Sequence, residues 1–301
     1  MSRSLSLLLL CSLLAIATLQ TPAASLLNST RETQTTAQTD DERLLETGRH
    51  AKLISNSRAP DEIKIVCYNI RYRGGDELRE LIELLRADAE LGGASIIGLQ
   101  EVDRNRKRSG GENNARRIAE ALGMNYAWAA PPRVKAEQTE DETGVALFSP
   151  YPLTDVERIV MPHAGPGGRR RVALGASLSI NNTKLRVYTV HAETRMRVSQ
   201  KIAQQQSVLQ SLAARPGVEH AVVLGDFNTI EPKAVRATIQ LFTAAGFTTP
   251  FQHDRPTWKT FILKLKLDWV WLRGFKETTR SGIARNVEFS DHWPLWLVIK
   301  L

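Results

Sequence analysis

The apolar run Val222-Val223-Leu224 ends abruptly in Gly225-Asp226-Phe227-Asn228, which puts a carboxylate and a carboxamide at the tip of what reads as a buried strand. Sheets of α/β proteins commonly carry ligand sites just past the C-terminal ends of their strands, although Asp and Asn also serve there as turn formers. The same placement recurs along the chain. Asn69 sits near the end of the apolar stretch 63–70, Glu101 directly follows 95–100, and His191 follows 185–190. A carboxylate among buried neighbours requires a metal, a cation or a proton, whereas a lone histidine is more often structural. Asp268 interrupts the alternating stretch 265–272, and Ser290-Asp291-His292 precedes the apolar 293–299. An Asp from one strand beside a His from another fixes the imidazole tautomer and stabilises its protonated form.

These residues need strands to present them and helices to cover the strands. Stretches 63–70 and 95–100 are apolar on both parities, as central strands are. Leu78, Leu81, Ile82 and Leu85 have i, i+3, i+4, i+7 spacing, which predicts an amphipathic helix before Gly92-Gly93. Asn113 or Asn114 is suited to cap a second helix carrying Ala115, Ile118, Ala119 and Leu122, with Gly123 as its stop. The segments 143–148, 153–161, 172–180 and 185–190 read as strands separated by Pro-, Gly- or Asn-rich turns, so this half is expected to be antiparallel. Val198, Ile202, Gln205, Leu209 and Leu212 form the next helical stripe. Pro232 opens a helix through Val235, Ile239 and Phe242 that Gly246 closes, and 265–272 and 293–299 supply the last strands.

Taken in order, Tyr68-Asn69-Ile70, Leu99-Gln100-Glu101-Val102-Asp103, Thr143-Gly144-Val145-Ala146-Leu147, Val190-His191, Gly225-Asp226-Phe227-Asn228, Leu267-Asp268-Trp269 and Ser290-Asp291-His292 resemble the motif set of the endonuclease/exonuclease/phosphatase superfamily, whose fold is like that of deoxyribonuclease I. The resemblance spans residues 63–301. It implies an α/β fold, a four-layer α/β/β/α sandwich of two mixed β-sheets flanked by helices, and Mg²⁺- or Mn²⁺-dependent cleavage of phosphate esters. By the same resemblance, Glu101 is the principal metal ligand, with Asn69 beside it and Asp291 as a further ligand or water bridge. Asp226 orients or deprotonates the attacking water, and Asn228 hydrogen-bonds the phosphoryl group. His292, held by Asp268, contacts the phosphate, and His191 matches a second catalytic histidine. The segment His191-Ala192-Glu193 departs from the more usual His-Leu-Asp, and no acid supporting His191 is evident in the sequence. The chemistry is coherent, because phosphodiester cleavage needs an in-line nucleophile and several groups that stabilise anionic oxygens.

With 301 residues and 42% hydrophobic content, the chain is long enough for one large core. Arg3, an apolar stretch at 5–19 and the small residues Ala23, Ala24 and Ser25 form the three-part pattern of a secretory signal over 1–25. Residues 26–60 are polar and read as a disordered tether, which leaves 61–301 as the catalytic domain. The protein is accordingly expected to be exported, periplasmic or secreted, and monomeric. Cys11 leaves with the signal, and Cys67, inside a strand pattern, reads as core filler.

The formal charge of +8 falls to +7 with the loss of Arg3 and favours polyanionic partners, either nucleic acid or an anionic membrane surface. Arg104, Arg106, Lys107 and Arg108 follow Glu101 closely, and Arg169-Arg170-Arg171 and Lys264/Lys266 precede other strands. The expected substrate is therefore a phosphodiester such as DNA or RNA. The alternatives are a phospholipid headgroup, a small phosphomonoester, or a binding module of the same fold without turnover. Against a lipid enzyme stands the lack of a long aromatic hairpin, with only Phe261-Ile262-Leu263 able to form a small apolar tip.

Overall fold

The structure, a computed structural model, describes residues 40–51, 61–134, 141–253 and 256–301. The expected signal and most of the expected tether lie outside the described residues. In chain order the elements are α1 (Asp40–Arg43), β1 (Leu45–Gly48), β2 (Glu62–Asn69), α2 (Gly75–Ala87), β3 (Ile96–Arg104), α3 (Asn114–Leu122), β4 (Asn125–Ala129), β5 (Glu142–Ser149), β6 (Thr154–Val160), β7 (Val172–Ile180), β8 (Thr183–His191), α4 (Val198–Ala213), β9 (His220–Asp226), α5 (Pro232–Ala244), β10 (Trp258–Lys259), β11 (Lys264–Leu265), β12 (Asp268–Arg273), β13 (Thr278–Ile283) and β14 (Leu295–Lys300).

Two mixed sheets stand face to face. One runs β1-β4-β5-β3-β2-β14-β13 and the other β12-β9-β8-β7-β6; β2–β3 and β8–β9 are the parallel pairs. Side-chain alternation divides the buried residues into three apolar layers. Ile63, Ile65 and Cys67 of β2 meet Val222 and Leu224 of β9 and Val270 of β12 between the sheets. Val66 and Tyr68, of opposite parity, pack outward against Leu78, Leu81, Ile82 and Leu85 of α2 and Ile118 of α3. On the far side, Val223, Trp269 and Trp271 meet Val208 and Leu212 of α4 and Phe242 of α5. This is the four-layer α/β/β/α arrangement, held by the loss of apolar surface to both faces of each sheet. The sheets approach closely at Gly98, where an added Cβ would lie 2.1 Å from Leu224 Cδ1.

The helix stops and starts follow the sequence. Asn113 accepts a hydrogen bond from Arg116 N at 3.2 Å, Gly123 ends α3 with φ +63°, and Pro232 occupies the first turn of α5.

Three expectations change. Leu45–Gly48, expected within the tether, pairs antiparallel with β4, and Leu44 is buried, so the folded region begins before residue 61. The β5 segment does not join β6–β8 in one antiparallel half, since it lies in the other sheet between β4 and β3. The stretch 265–272 is divided: Lys264–Leu265 forms a short hairpin with Trp258–Lys259, and the sheet strand starts at Asp268. Backbone demand explains the break, because the amides of Leu267 and Asp268 take Thr257 Oγ1 as acceptor, at 3.0 and 2.9 Å.

Candidate active site

Side-chain parity brings most of the expected residues to one end of the inter-sheet face. Asn69 shares a face with Ile65 and Cys67, Asp226 with Val222 and Leu224, and Asp268 with Val270, while His191 follows the parity of Leu185 and Val187. Strand register then aligns them, His191 opposite Asp226 in the parallel pair and Asp268 opposite Asp226 in the antiparallel one. Gly225 permits this close row. Its φ is +139°, and a Cβ there would lie 2.0 Å from Val190 O.

Glu101 reaches the site by a different device. On β3, Ile96 and Gly98 face the opposite sheet and Leu99 faces α2, so strict alternation would send residue 101 outward with Leu99. The β3–β5 register slips between Gln100 and Val102, and Glu101 adopts φ +57°. Such a bulge inserts one residue and re-aims its side chain. The left-handed conformation costs roughly 1–3 kcal/mol for a non-glycine residue, and pairing of β3 on both edges holds it in place. Gln100 keeps the inward parity and donates to Thr189 Oγ1 at 2.9 Å.

The carboxylates are linked by Asn69. Its Nδ2 donates to Glu101 Oε1 at 3.3 Å and to Asp226 Oδ2 at 3.1 Å, and its Oδ1 accepts from Arg71 N at 3.0 Å. In this arrangement the Asn69 carboxamide bridges the two acids. Asn228 N donates to Asp226 Oδ1 at 2.9 Å, and one Asn228 amide hydrogen is engaged by Ala192 O at 2.9 Å.

Asp268 Oδ2 lies 2.8 Å from His292 Nδ1. Burial alone would lower the His292 pKa, but the Asp268 carboxylate overrides it by charge and hydrogen bond and pushes the imidazole up to about 10. Asp268 Oδ1 is buried and has no hydrogen-bond partner among the described residues, while Oδ2 engages His292. Asp226 is pushed up to about 7, chiefly by burial; the His292 cation lowers it, and Asp268 and Glu101 raise it. Its Oδ2 lies between the two imidazoles, 3.7 Å from His191 Nε2 and 3.8 Å from His292 Nε2.

His191 has an arginine where an acid is expected. Arg171 Nη1 is 3.3 Å from both ring nitrogens, and Glu193 Oε2 holds Arg171 Nε at 3.1 Å. Burial, and then the Arg171 charge, depress the His191 pKa well below its ordinary value, so the ring is neutral at pH 7. The departure at Glu193 thus has a structural account: this acid serves the arginine, not the histidine.

Asp226, Asp268 and His292 place one ligand atom each within 4.8 Å of one another, a grouping capable of holding an ion. Nδ1 of His292 is engaged by Asp268, however, and a cationic imidazole repels a metal, so this trio is better described as an ion pair beside a third acid. The donors suited to a hard cation are Glu101 and Asp291, whose side chains are 24% and 28% exposed and line the same cleft. Trp258 Nε1 donates to Asp291 Oδ2 at 3.1 Å, and Arg71 Nη1 stands 3.7 Å from the same oxygen. Oxygen-rich and partly exposed, this edge has the donor chemistry of a site for a hard divalent cation.

The cleft, of about 390 Å³, opens into a second recess of about 390 Å³, and Tyr72, Glu101, Arg171 and His191 line both. Arg106, Arg108, Arg133 and Arg169 line the recess. The basic clusters therefore divide. Arg104, paired with Glu142 and Glu46, lines neither the cleft nor the recess, nor do Lys107 and Arg170, and Lys266 is buried over the Trp269 ring with its Nζ donating to Phe251 O. Arg71 and Tyr72 also line the cleft, and their only signal in the sequence is their place just after Tyr68-Asn69-Ile70. A larger cavity of about 830 Å³ lies beside β1 and α3, where Glu46 pairs with Arg116 at 2.7 Å and with Arg104 at 3.5 Å. It contains none of the expected catalytic or metal-binding residues.

The profile of the Endonuclease/Exonuclease/phosphatase family matches residues 66–292. Among solved structures, an endonuclease/exonuclease/phosphatase from Beutenbergia cavernae aligns with TM-score 0.62 and 18% identity over 80% of this chain and 72% of its own. TDP2 from D. rerio complexed with single strand DNA product gives TM-score 0.63 and 17% identity over 80% and 100%. ANGEL2, a 2′,3′-cyclic phosphatase, gives 0.58 and 15% over 80% and 96%. At these identities the likeness is one of fold. No curated protein sequence matches.

Proposed function

Because the chain belongs to the endonuclease/exonuclease/phosphatase family, we propose that it is a divalent-metal-dependent phosphoric ester hydrolase, a phosphodiesterase that cleaves nucleic acid. The observation that carries this reading is the convergence of Glu101, Asp226, Asp291, His191 and the Asp268–His292 pair on one cleft continuous with an arginine-lined recess. Glu101 and Asp291 would hold Mg²⁺ or Mn²⁺, which when bound supplies positive charge to the phosphoryl oxygens. Asp226, with a pKa lifted toward neutrality, takes a proton from the attacking water. Asn69 and the Asn228 amide hold that carboxylate in place. His292, kept cationic by Asp268, donates to a phosphoryl oxygen, and the Asn228 side-chain carboxamide and neutral His191 complete the polar wall.

Nucleic acid is favoured because the recess gathers Arg106, Arg108, Arg133, Arg169 and Arg171 beside an aromatic ring, Tyr72, and because D. rerio TDP2 carries a single-stranded DNA product on this fold. Cleavage of DNA and RNA is expected to weaken steeply with salt as counterions are released. In Arg106→Ala/Arg169→Ala the logarithmic salt slope should become shallower by about 1 to 2, since each phosphate contact contributes roughly 0.7–0.9. These two arginines suit the test better than Arg108, which holds the buried Asp103 through two hydrogen bonds of 2.8 and 3.0 Å, whereas Arg106 stands 3.9 Å from that acid. No cleavage of either nucleic acid, or an unaltered slope in the variant, would reject this substrate.

We also place the protein outside the cytoplasm, on the signal pattern at 1–25. Mass spectrometry of exported material is expected to find a mature start near Ser25 or Leu26, and an intact Met1 there would refute cleavage.

A further inference from the structure

The turn between β10 and β11 carries Phe261, Ile262 and Leu263, exposed by 103%, 80% and 52%. Three consecutive large apolar side chains in water are an unusual liability for a turn, where single exposed hydrophobics need no explanation. The turn is built rather than loose. Thr260 N donates to Leu263 O at 2.8 Å, and Thr260 Oγ1 accepts from Leu263 N at 3.0 Å. The hairpin beneath is fastened to the active-site loop, Lys259 N donating to Asp291 O at 2.9 Å and Trp258 bridging to His292.

Beside the tip runs a groove of about 560 Å³ with an apolar wall of Ile230, Val235, Ile239 and Leu265 and the cations Arg236 and Lys264. Arg236 and Lys264 make no ion pair among the described residues, and none of the described residues lining the groove is an acid. Ile230 and Leu265 also line the catalytic cleft, so the apolar surface and the cleft are continuous.

We infer that this face docks on an anionic phospholipid membrane, with Phe261-Ile262-Leu263 entering the acyl boundary while Lys264 and Arg236 meet headgroup phosphates. Apolar residues beside cations at a single edge are what an interfacial site requires, and the positive charge of Arg236 and Lys264 selects an anionic surface. Docking would hold the mouth of the cleft at the lipid–water boundary. The inference does not depend on which phosphoester the cleft cleaves.

The test is co-sedimentation of the full chain with vesicles of phosphatidylglycerol and phosphatidylcholine, and of phosphatidylcholine alone, in EDTA so that turnover plays no part. The wild type should bind the anionic vesicles at least tenfold more tightly than the neutral ones. Phe261→Ser/Ile262→Ser should lose at least tenfold on anionic vesicles, and Arg236→Glu/Lys264→Glu should lose the preference for them. Unchanged melting temperatures would exclude misfolding, and the common background cancels any binding by residues 5–19. Equal binding by the tip variant and wild type would overturn the inference, as would absence of wild-type binding. So would a dimer in light scattering that the tip variant abolishes, since a second copy would then be the occupant.

Discussion

Glu101→Gln is expected to lower metal-dependent phosphoester hydrolysis by about 10³-fold or more, because the amide forfeits the main negative charge available to hold a divalent cation. The fold should survive. The side chain is partly exposed, and glutamine can still accept from Asn69 Nδ2, so the bulge at Gln100–Val102 keeps its local partner. Melting temperature and circular dichroism should therefore match the wild type. Titration calorimetry with Mg²⁺ or Mn²⁺ should show weakened binding independently of turnover. Wild-type turnover at limiting metal would remove Glu101 from the role of principal ligand and shift attention to Asp291 and Asp226.

The second large effect concerns the buried pair Asp268–His292. His292→Ala removes the cation, whereas Asp268→Asn leaves the shape but removes the charge that keeps the imidazole protonated. Each is expected to cost on the order of 10²-fold or more in kcat, and the double variant far less than the product of the two, because the residues act as a unit. Both variants leave a buried group short of a partner, so stability should be measured alongside and rates compared below the melting transition. Strictly multiplicative losses would dissolve the pair into two independent groups. The trio of Asp226, Asp268 and His292 would then have to be reconsidered as an ion-binding set.

Much of this protein is written locally. Strands covered on both faces appear as unbroken apolar runs, and the polar residues closing them appear as anomalies, which is why Asn69, Asp226, Asp268 and His292 stand out in the bare sequence. Helices α2 and α3 are legible from their stripes and caps. β1 is not, because Leu45-Glu46-Thr47-Gly48 has too little apolar content to signal a strand. It exists through pairing with β4, where Tyr126 covers Gly48 so closely that a Cβ would lie 2.2 Å from the ring. The short β10–β11 hairpin is likewise hidden, its second strand lying inside an alternating pattern that reads as one longer strand.

Other features were decided only by tertiary structure. Periodicity would turn Glu101 away from the cleft, and a bulge stabilised by two neighbouring strands turns it in. Arg171 lies 20 residues from His191, and the β7–β8 pairing brings its guanidinium over the ring. Arg104, Arg106 and Arg108 are sequence neighbours, yet the first turns to Glu142 while the other two line the recess. The physical reason is the range of the forces involved. Side-chain alternation and apolar burial act along the chain and leave a periodic trace, so the sequence by itself determined the elements and the kinds of residue at their ends. Direction, partner and protonation depend on strands brought together from distant segments and on low-dielectric surroundings that exist only once both sheets have closed.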